Sequence, residues 1–393
     1  MAILLARRYN IGPVLMIAAA TLLLTTSRPL QLTPTLLTSI IGDPNYYWIL
    51  AIVVGVSLLG TILKHLNKIP LLVSSLETIV GKRSFVLPLL PMVIGALPMP
   101  GGAYLSAPMV EQAAADTNLS PEKRTVSNHW FRHLLEFVFP LYPGFLLSAK
   151  LCSIDIRTFL YYTYPMAIVG WLAAYIILLS REELGTIDLK TEKPWFVFAS
   201  AVWPVVSVVV LTLLIPRSWF GDPFIVALFI SILVLSLRHR LFSWKQWAPW
   251  LKQAFSRKLI VMVTGTFVFK HALEITGLTK TLAPELANSG IPLSYVLGLV
   301  PFAIGLLVGY AVGFAGICYP VLLPLITTSG IVDAKLAAWI YIAGWAGMML
   351  SPAHLCLVLT QEYFNSKWLH VYAYLSILSF IIALTGFFLT FLG

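Results

Sequence analysis

Five ionisable or amide side chains fall within nine residues of an otherwise apolar chain: Asn128, His129, Arg132, His133 and Glu136. Asn128, Arg132 and Glu136 recur at i, i+4 and i+8, and His129, His133 and Glu136 at i, i+4 and i+7. A helix therefore gathers all five on one side. The set offers a cation to an anionic ligand, two imidazoles to a proton relay, and an Arg132–Glu136 pair to packing. His129, His133 and Glu136 would hold a metal only with further ligands, so no metal or other cofactor is expected beyond coupling to Na⁺ or H⁺. A second group, Lys270, His271 and Glu274, sets a Lys270–Glu274 pair at i, i+4. It reads as a neutralised pair, a coupling element or part of a dimer interface.

The elements that carry these groups are membrane helices. Of 393 residues 59% are hydrophobic and only 11% charged, and the mean hydropathy is +0.88, which excludes an ordinary soluble core. Apolar stretches lie near residues 11–30, 46–64, 127–150, 155–180, 195–215, 221–238, 258–277, 335–363 and 367–392. A span needs about 20 residues to cross a hydrocarbon core of about 30 Å. Two more stretches, 84–115 and 294–327, are interrupted by PMPGG (Pro98 to Gly102) and GYAVGFAG (Gly309 to Gly316). These read as re-entrant hairpins, whose irregular backbone survives at membrane depth only where protein or a water-filled cavity satisfies it.

The chain also repeats itself. Ser84 to Leu97 (SFVLPLLPMVIGAL) and Ser294 to Leu307 (SYVLGLVPFAIGLL) are identical at 8 of 14 positions. After a two-residue slip Gly101, Ala103, Pro108 and Pro140 align with Gly313, Ala315, Pro320 and Pro352. Basic residues orient the copies, because Lys and Arg favour the cytoplasmic side. With the N-terminus cytoplasmic, nine crossing spans and two returning hairpins put 18 of the 26 Lys and Arg residues inside. The C-terminus then lies outside and the copies run antiparallel. The expected fold is an all-α polytopic membrane protein of about nine transmembrane spans plus two re-entrant hairpins, as inverted repeats over 1–180 and 213–393. Residues 181–212 form a linker with a reversing helix.

Other features reduce to membrane behaviour. Arg238 to Lys258, interleaved with Trp244, Trp247 and Trp250, is a cytoplasmic interfacial helix rather than a nucleic-acid patch. The net charge of +10 thus implies orientation and anionic lipid, with no nucleic-acid partner. Arg7 and Arg8 precede a retained first helix, because no convincing cleavage site follows. Cys152, Cys318 and Cys356 have neither metal-ligand spacing nor a disulfide framework.

The segments PMVIGALPMPGGAYLSAP (Pro91 to Pro108), FPLYPG (Phe139 to Gly144), GYAVGFAGICYP (Gly309 to Pro320) and SPAH (Ser351 to His354) carry a resemblance over nearly the whole chain. The chain resembles the integral membrane family DUF401, and its architecture is similar to the ion transporter superfamily. The superfamily resemblance implies two opposed hairpins and two interrupted helices around one site, commonly in a homodimer that moves its transport portion past a scaffold.

Half-helix N-termini offer unpaired N–H groups to a carboxylate, and half-helix C-termini offer carbonyls to Na⁺. Pro100, Gly101, Gly102, Gly313 and Gly316 permit tight turns and close approach there. Tyr104, Ser106, Tyr142, Tyr310, Cys318, Ser351 and His354 can orient a polar ligand without fixed charge. His354, just past the break at Pro352, is the best single candidate. Asn128, His129, Arg132, His133, Glu136 and Glu274 supply coupling or charge compensation.

The expected function is secondary transport of a small polar or anionic solute in the plasma membrane, coupled to Na⁺ or H⁺, by alternating access at the hairpin tips. A cation/proton antiporter is the alternative within transport. An intramembrane enzyme using the His129, His133 and Glu136 face is the alternative from another class.

Overall fold

The computed structural model describes residues 11–26, 29–96, 102–115, 117–186, 191–215, 222–278, 285 and 290–392. Among them are 18 α-helices, two 3-10 turns and one short antiparallel pairing of Thr327–Thr328 with Ile331–Val332. The protein is all-α.

Helix starts follow local chemistry. Asp43, Ser120 and Asp222 each cap a helix whose first residue is Pro44, Pro121 or Pro223, and their side-chain oxygens accept from backbone N–H groups of the first turn. Proline is tolerated at that position because its missing N–H has no intrahelical partner there.

The first part of the chain gives α1 (Ile11–Leu24), α2 (Pro29–Ile41), α3 (Pro44–His65) and α4 (Lys68–Val80). The apolar stretch expected as a single span over 11–30 is thus divided between α1 and α2. A helix unforeseen in the sequence, α4, follows α3 after Asn67, whose positive φ of 50° turns the chain. Next come α5 (Arg83–Gly95), α6 (Gly102–Ala113), α7 (Pro121–Leu134), α8 (Pro143–Leu151) and α9 (Ile156–Leu178). Then α10 (Pro194–Leu214) leads into α11 (Pro223–Arg238), α12 (Trp244–Ala254) and α13 (Arg257–Ile275). The chain finishes with α14 (Leu293–Val308), α15 (Ala311–Leu322), α16 (Ala334–Met349), α17 (Leu355–Phe364) and α18 (Trp368–Phe391).

Among the described residues, four helices are long and apolar enough to cross a membrane: α3, α9, α10 over Pro194–Thr212, and α18. Shorter apolar helices accompany them, and exposed side chains such as Ile176, Trp195, Leu369 and Phe380 give the bundle an apolar outer face. Such a surface suits lipid better than water.

The apolar stretches 127–150 and 335–363 are each interrupted. The first becomes α7, a 3-10 turn over Leu135–Phe137 and then α8, and the second becomes α16 and α17 separated by residues 350–354. Proline removes a helical donor at Pro140, Pro143 and Pro352, which favours a break there, although Pro165 and Pro204 sit inside continuous helices. Each hairpin stretch is a pair of mutually packed helices, α5 with α6 and α14 with α15.

Contacts pair off when the two copies are exchanged. Helix α5 packs on α7 as α14 packs on α16, while α6 packs on α17 as α15 packs on α8. The second arm of each helix pair therefore meets the second half of the other copy's broken helix. One pair of glycines shows the equivalence at atomic scale. A Cβ on Gly95 would lie 2.3 Å from the Arg132 carbonyl oxygen, and one on Gly305 would lie 2.0 Å from that of Gly344. Neither position admits a side chain.

Candidate functional site

The buried polar groups collect where the two interrupted helices meet. Asn128, His129, Arg132, His133 and Glu136 are all buried, as are Ser351 and His354 on the opposing break. Placing charged groups among apolar helices costs roughly 2.5–3.5 kcal/mol each on insertion scales, so a cluster of them needs a reason.

Part of the reason is structural. An interrupted helix leaves carbonyls without partners, and side chains fill the gaps. In the first break Thr163 Oγ1 donates to the Phe137 carbonyl at 2.7 Å and Tyr341 Oη to that of Glu136 at 3.2 Å. Tyr142 Oη lies 2.5 Å from the Gly95 carbonyl oxygen and 3.2 Å from that of Arg132, with one proton to share between them. At the end of α16 imidazoles serve instead. His129 Nε2 faces the Met349 carbonyl at 3.3 Å and His354 Nδ1 that of Met348 at 3.2 Å.

The 3-10 turn redirects Glu136. Side chains three apart eclipse in such a turn, and the carboxylate meets His133 Nδ1 at 2.7 Å. The Arg132–Glu136 pair expected from α-helical spacing is replaced by a His133–Glu136 pair, and Arg132 Nε and Nη1 remain buried without a protein partner. Seven of the thirteen buried side-chain polar atoms lacking a protein partner, among the described residues, belong to Ser127–Glu136. Such atoms cost about 1–3 kcal/mol each if nothing satisfies them, so this stretch calls for ordered water or a ligand.

The second helix pair reaches the same place. Gly309, at φ +66°, ends α14 in a left-handed turn, and its N–H donates to the Gly305 carbonyl at 2.8 Å. A Cβ there would lie 2.6 Å from Ser351 Oγ and 2.8 Å from the His354 nitrogen. Only glycine lets this turn press onto the break at 350–354. On the other side, a Cβ of Gly144 would lie 2.4 Å from that of Ala311, so the start of α15 abuts the start of α8.

Over residues 1–392 the chain matches the family described as Protein of unknown function (DUF401). The chain belongs to the DUF401 family. No curated protein matches it.

In this DUF401 protein the residues singled out by sequence divide into three groups. Asn128, His129, Arg132, His133, Glu136, Tyr142, Ser351 and His354 converge, and Asn128 Nδ2 also donates to Thr360 Oγ1 at 2.9 Å across the two broken helices. Tyr310 precedes α15 in extended backbone, and Gly313 is buried within that helix. Others point elsewhere. Gly316 is a packing position, since its Cβ would lie 2.0 Å from Thr266 Cγ2 of α13. Cys318 and Ser106 are buried on α15 and α6. Pro100 and Gly101 lie outside the described residues, and for Gly102 and Tyr104 only the helical backbone is described.

Glu274 belongs to a separate cluster. Asp43 Oδ2 lies 2.9 Å from Lys270 Nζ and 3.1 Å from His271 Nε2, while Glu274 meets His271 Nδ1 at 3.1 Å. Lys270 and Glu274 are 3.8 Å apart. Asp43 was not foreseen as a partner, because its capping of α3 accounts for it locally.

Proposed function

We propose that this protein is a secondary transporter of a small anionic solute, of the carboxylate class, working by alternating access between two opposed helix pairs. The observation that carries the reading is Arg132, a buried guanidinium with two unpartnered donor nitrogens, Nε and Nη1, beside the break in the first interrupted helix. A guanidinium presents paired donors to a carboxylate, and in a water-poor site those charge-assisted hydrogen bonds are among the strongest available.

The wider architecture belongs to the same proposal. About nine spans, two re-entrant hairpins and inverted repeats in a plasma-membrane homodimer accommodate the exchanged packing of α6 on α17 and α15 on α8. The N-terminus is cytoplasmic and the C-terminus outside. His133–Glu136 and the Asp43–Lys270–His271–Glu274 network supply groups for H⁺ coupling, and freed carbonyls at the breaks suit Na⁺. The likeness to the ion transporter superfamily gives the moving parts, with the helix pairs shifting past a scaffold.

The test is ligand-dependent melting of the purified protein in detergent against small carboxylates, phosphate, sulfate and amino acids, with and without Na⁺ and across pH. A solute at 100 times its Kd stabilises the native state by about 2.7 kcal/mol, a readily measured shift. Uptake of the stabilising solute into proteoliposomes, lost in Arg132→Gln, is the expected result. Melting shifted by Na⁺, Li⁺ or pH alone, with no solute effect, would replace this reading with the cation/proton antiporter.

A further inference from the structure

Three imidazoles surround one small space. His129 and His133 lie one turn apart on α7, and His354 caps α17 from the facing break. Their ring centroids are 5.2, 4.7 and 4.6 Å apart, and one ring nitrogen from each lies within 4.8 Å of the others. All three residues are buried.

Hydrogen bonding fixes where their protons sit. Carbonyl and carboxylate oxygens accept and do not donate, so the nitrogen facing each oxygen carries the ring proton. For His129 that is Nε2 towards Met349, for His133 Nδ1 towards Glu136, and for His354 Nδ1 towards Met348. In the neutral rings the lone pairs are left on His129 Nδ1, His133 Nε2 and His354 Nε2. Two of these, His129 Nδ1 and His133 Nε2, are buried and meet no protein donor. Lone pairs held close together repel, and a cation relieves the repulsion.

We infer that His129, His133 and His354 bind a divalent cation of the zinc type. Each imidazole already has the second partner that orients a metal ligand: two backbone carbonyls and, at His133, a carboxylate. Imidazole donors favour Zn²⁺ and its neighbours over Mg²⁺ and Ca²⁺, which prefer oxygen. Tetrahedral zinc at about 2.0–2.1 Å sets ligand nitrogens about 3.4 Å apart, so the rings need close by little more than 1 Å. Sequence spacing alone proposed Glu136 as the third ligand. The structure gives that carboxylate to His133 and brings His354 into its place. The site also joins α7 of the first copy to the break of the second, so an occupied site would pin the two broken helices together.

This inference rests on imidazole geometry and stands apart from the carboxylate reading. The test uses full-length protein in detergent, stripped with chelator and titrated with ZnCl₂ by calorimetry and with CoCl₂ by absorbance. One Zn²⁺ per chain is expected, with no heat from Mg²⁺ or Ca²⁺. Stoichiometric binding disappears in His129→Ala and His354→Ala that still elute as folded protein, and Glu136→Gln weakens it by about 10–100-fold. Wild type that takes up no Zn²⁺, or binds it equally after both histidine substitutions, overturns the site. Arg132→Gln that loses carboxylate binding but keeps Zn²⁺ separates this site from the transport reading.

Discussion

The two copies share a scaffold and divide the chemistry. Arg132 and Gly344 occupy equivalent positions, and the carbonyl of each is approached closely by a glycine, Gly95 or Gly305. Around that shared crossing the side chains diverge. Where the first copy has His129, His133 and Glu136, the second has Tyr341, Trp345 and Met348. Trp345 lies edge-on to Trp130 with centroids 5.2 Å apart and tilted against Phe137 at 4.5 Å. At these equivalent positions the first copy holds polar side chains and the second supplies an aromatic wall packed on Trp130 and Phe137. Backbone geometry is conserved between the halves because it closes the fold, whereas side chains at the centre are free to specialise.

Substitution at the shared crossing should have the largest effect. Gly95→Leu and Gly305→Leu each drive a side chain into a backbone carbonyl, and overpacking of this kind costs about 1–3 kcal/mol or more. Both variants should melt well below wild type in detergent, or fail to accumulate. A large loss in only one of them would break the equivalence.

Arg132→Gln sharpens the difference in chemistry. Hydrogen bonds to a charged group are worth about 1.5–3 kcal/mol, so on the proposed function affinity for a carboxylate should fall by roughly 10- to 150-fold, with fold retained. Equilibrium binding of a stabilising carboxylate provides the check, and unchanged affinity would remove Arg132 from the ligand.

Asp43→Asn tests whether the polar network outside the centre is structural. It takes the carboxylate from Lys270 and His271, whose remaining acidic neighbour Glu274 is more exposed. A loss of about 1–3 kcal/mol in stability is expected from the impaired partners, read as a lowered melting temperature with carboxylate affinity unaltered. If transport ceases while melting is unchanged, the network belongs to coupling.

The smallest effect is expected in the aromatic wall. Trp345 Nε1 has no protein partner, so Trp345→Phe forfeits no hydrogen bond and should cost less than about 1.5 kcal/mol. A severe loss of ligand binding there would show that the second copy contributes more than a wall.

Much of this division is legible in the sequence, for identifiable reasons. The Asp-Pro and Ser-Pro pairs mark helix starts because capping chemistry is local, and prolines clustered near residue 140 and at 352 favour breaks by removing a helical donor. The i, i+4 spacing of His129 and His133 also survives folding. Glu136 does not follow its spacing, since the 3-10 turn that captures it depends on Thr163 and Tyr341 accepting responsibility for freed carbonyls far along the chain. The convergence of His354 on His133 is likewise a matter of how α17 docks, about 220 residues away, and no local signal encodes it.

The exchanged packing has a consequence for how the protein is made. Helix α6 ends at Ala113, yet its partner α17 begins only at Leu355. At about 5–20 residues per second, roughly 10–50 s of synthesis separates the two. During that interval the first half stands in the translocation machinery or the bilayer with a face of α6 uncovered, so a nascent chain stalled before Leu355 should remain sensitive to protease and to membrane quality control. Maturation is then a single late event, triggered by the arrival of the final helices rather than accumulated span by span.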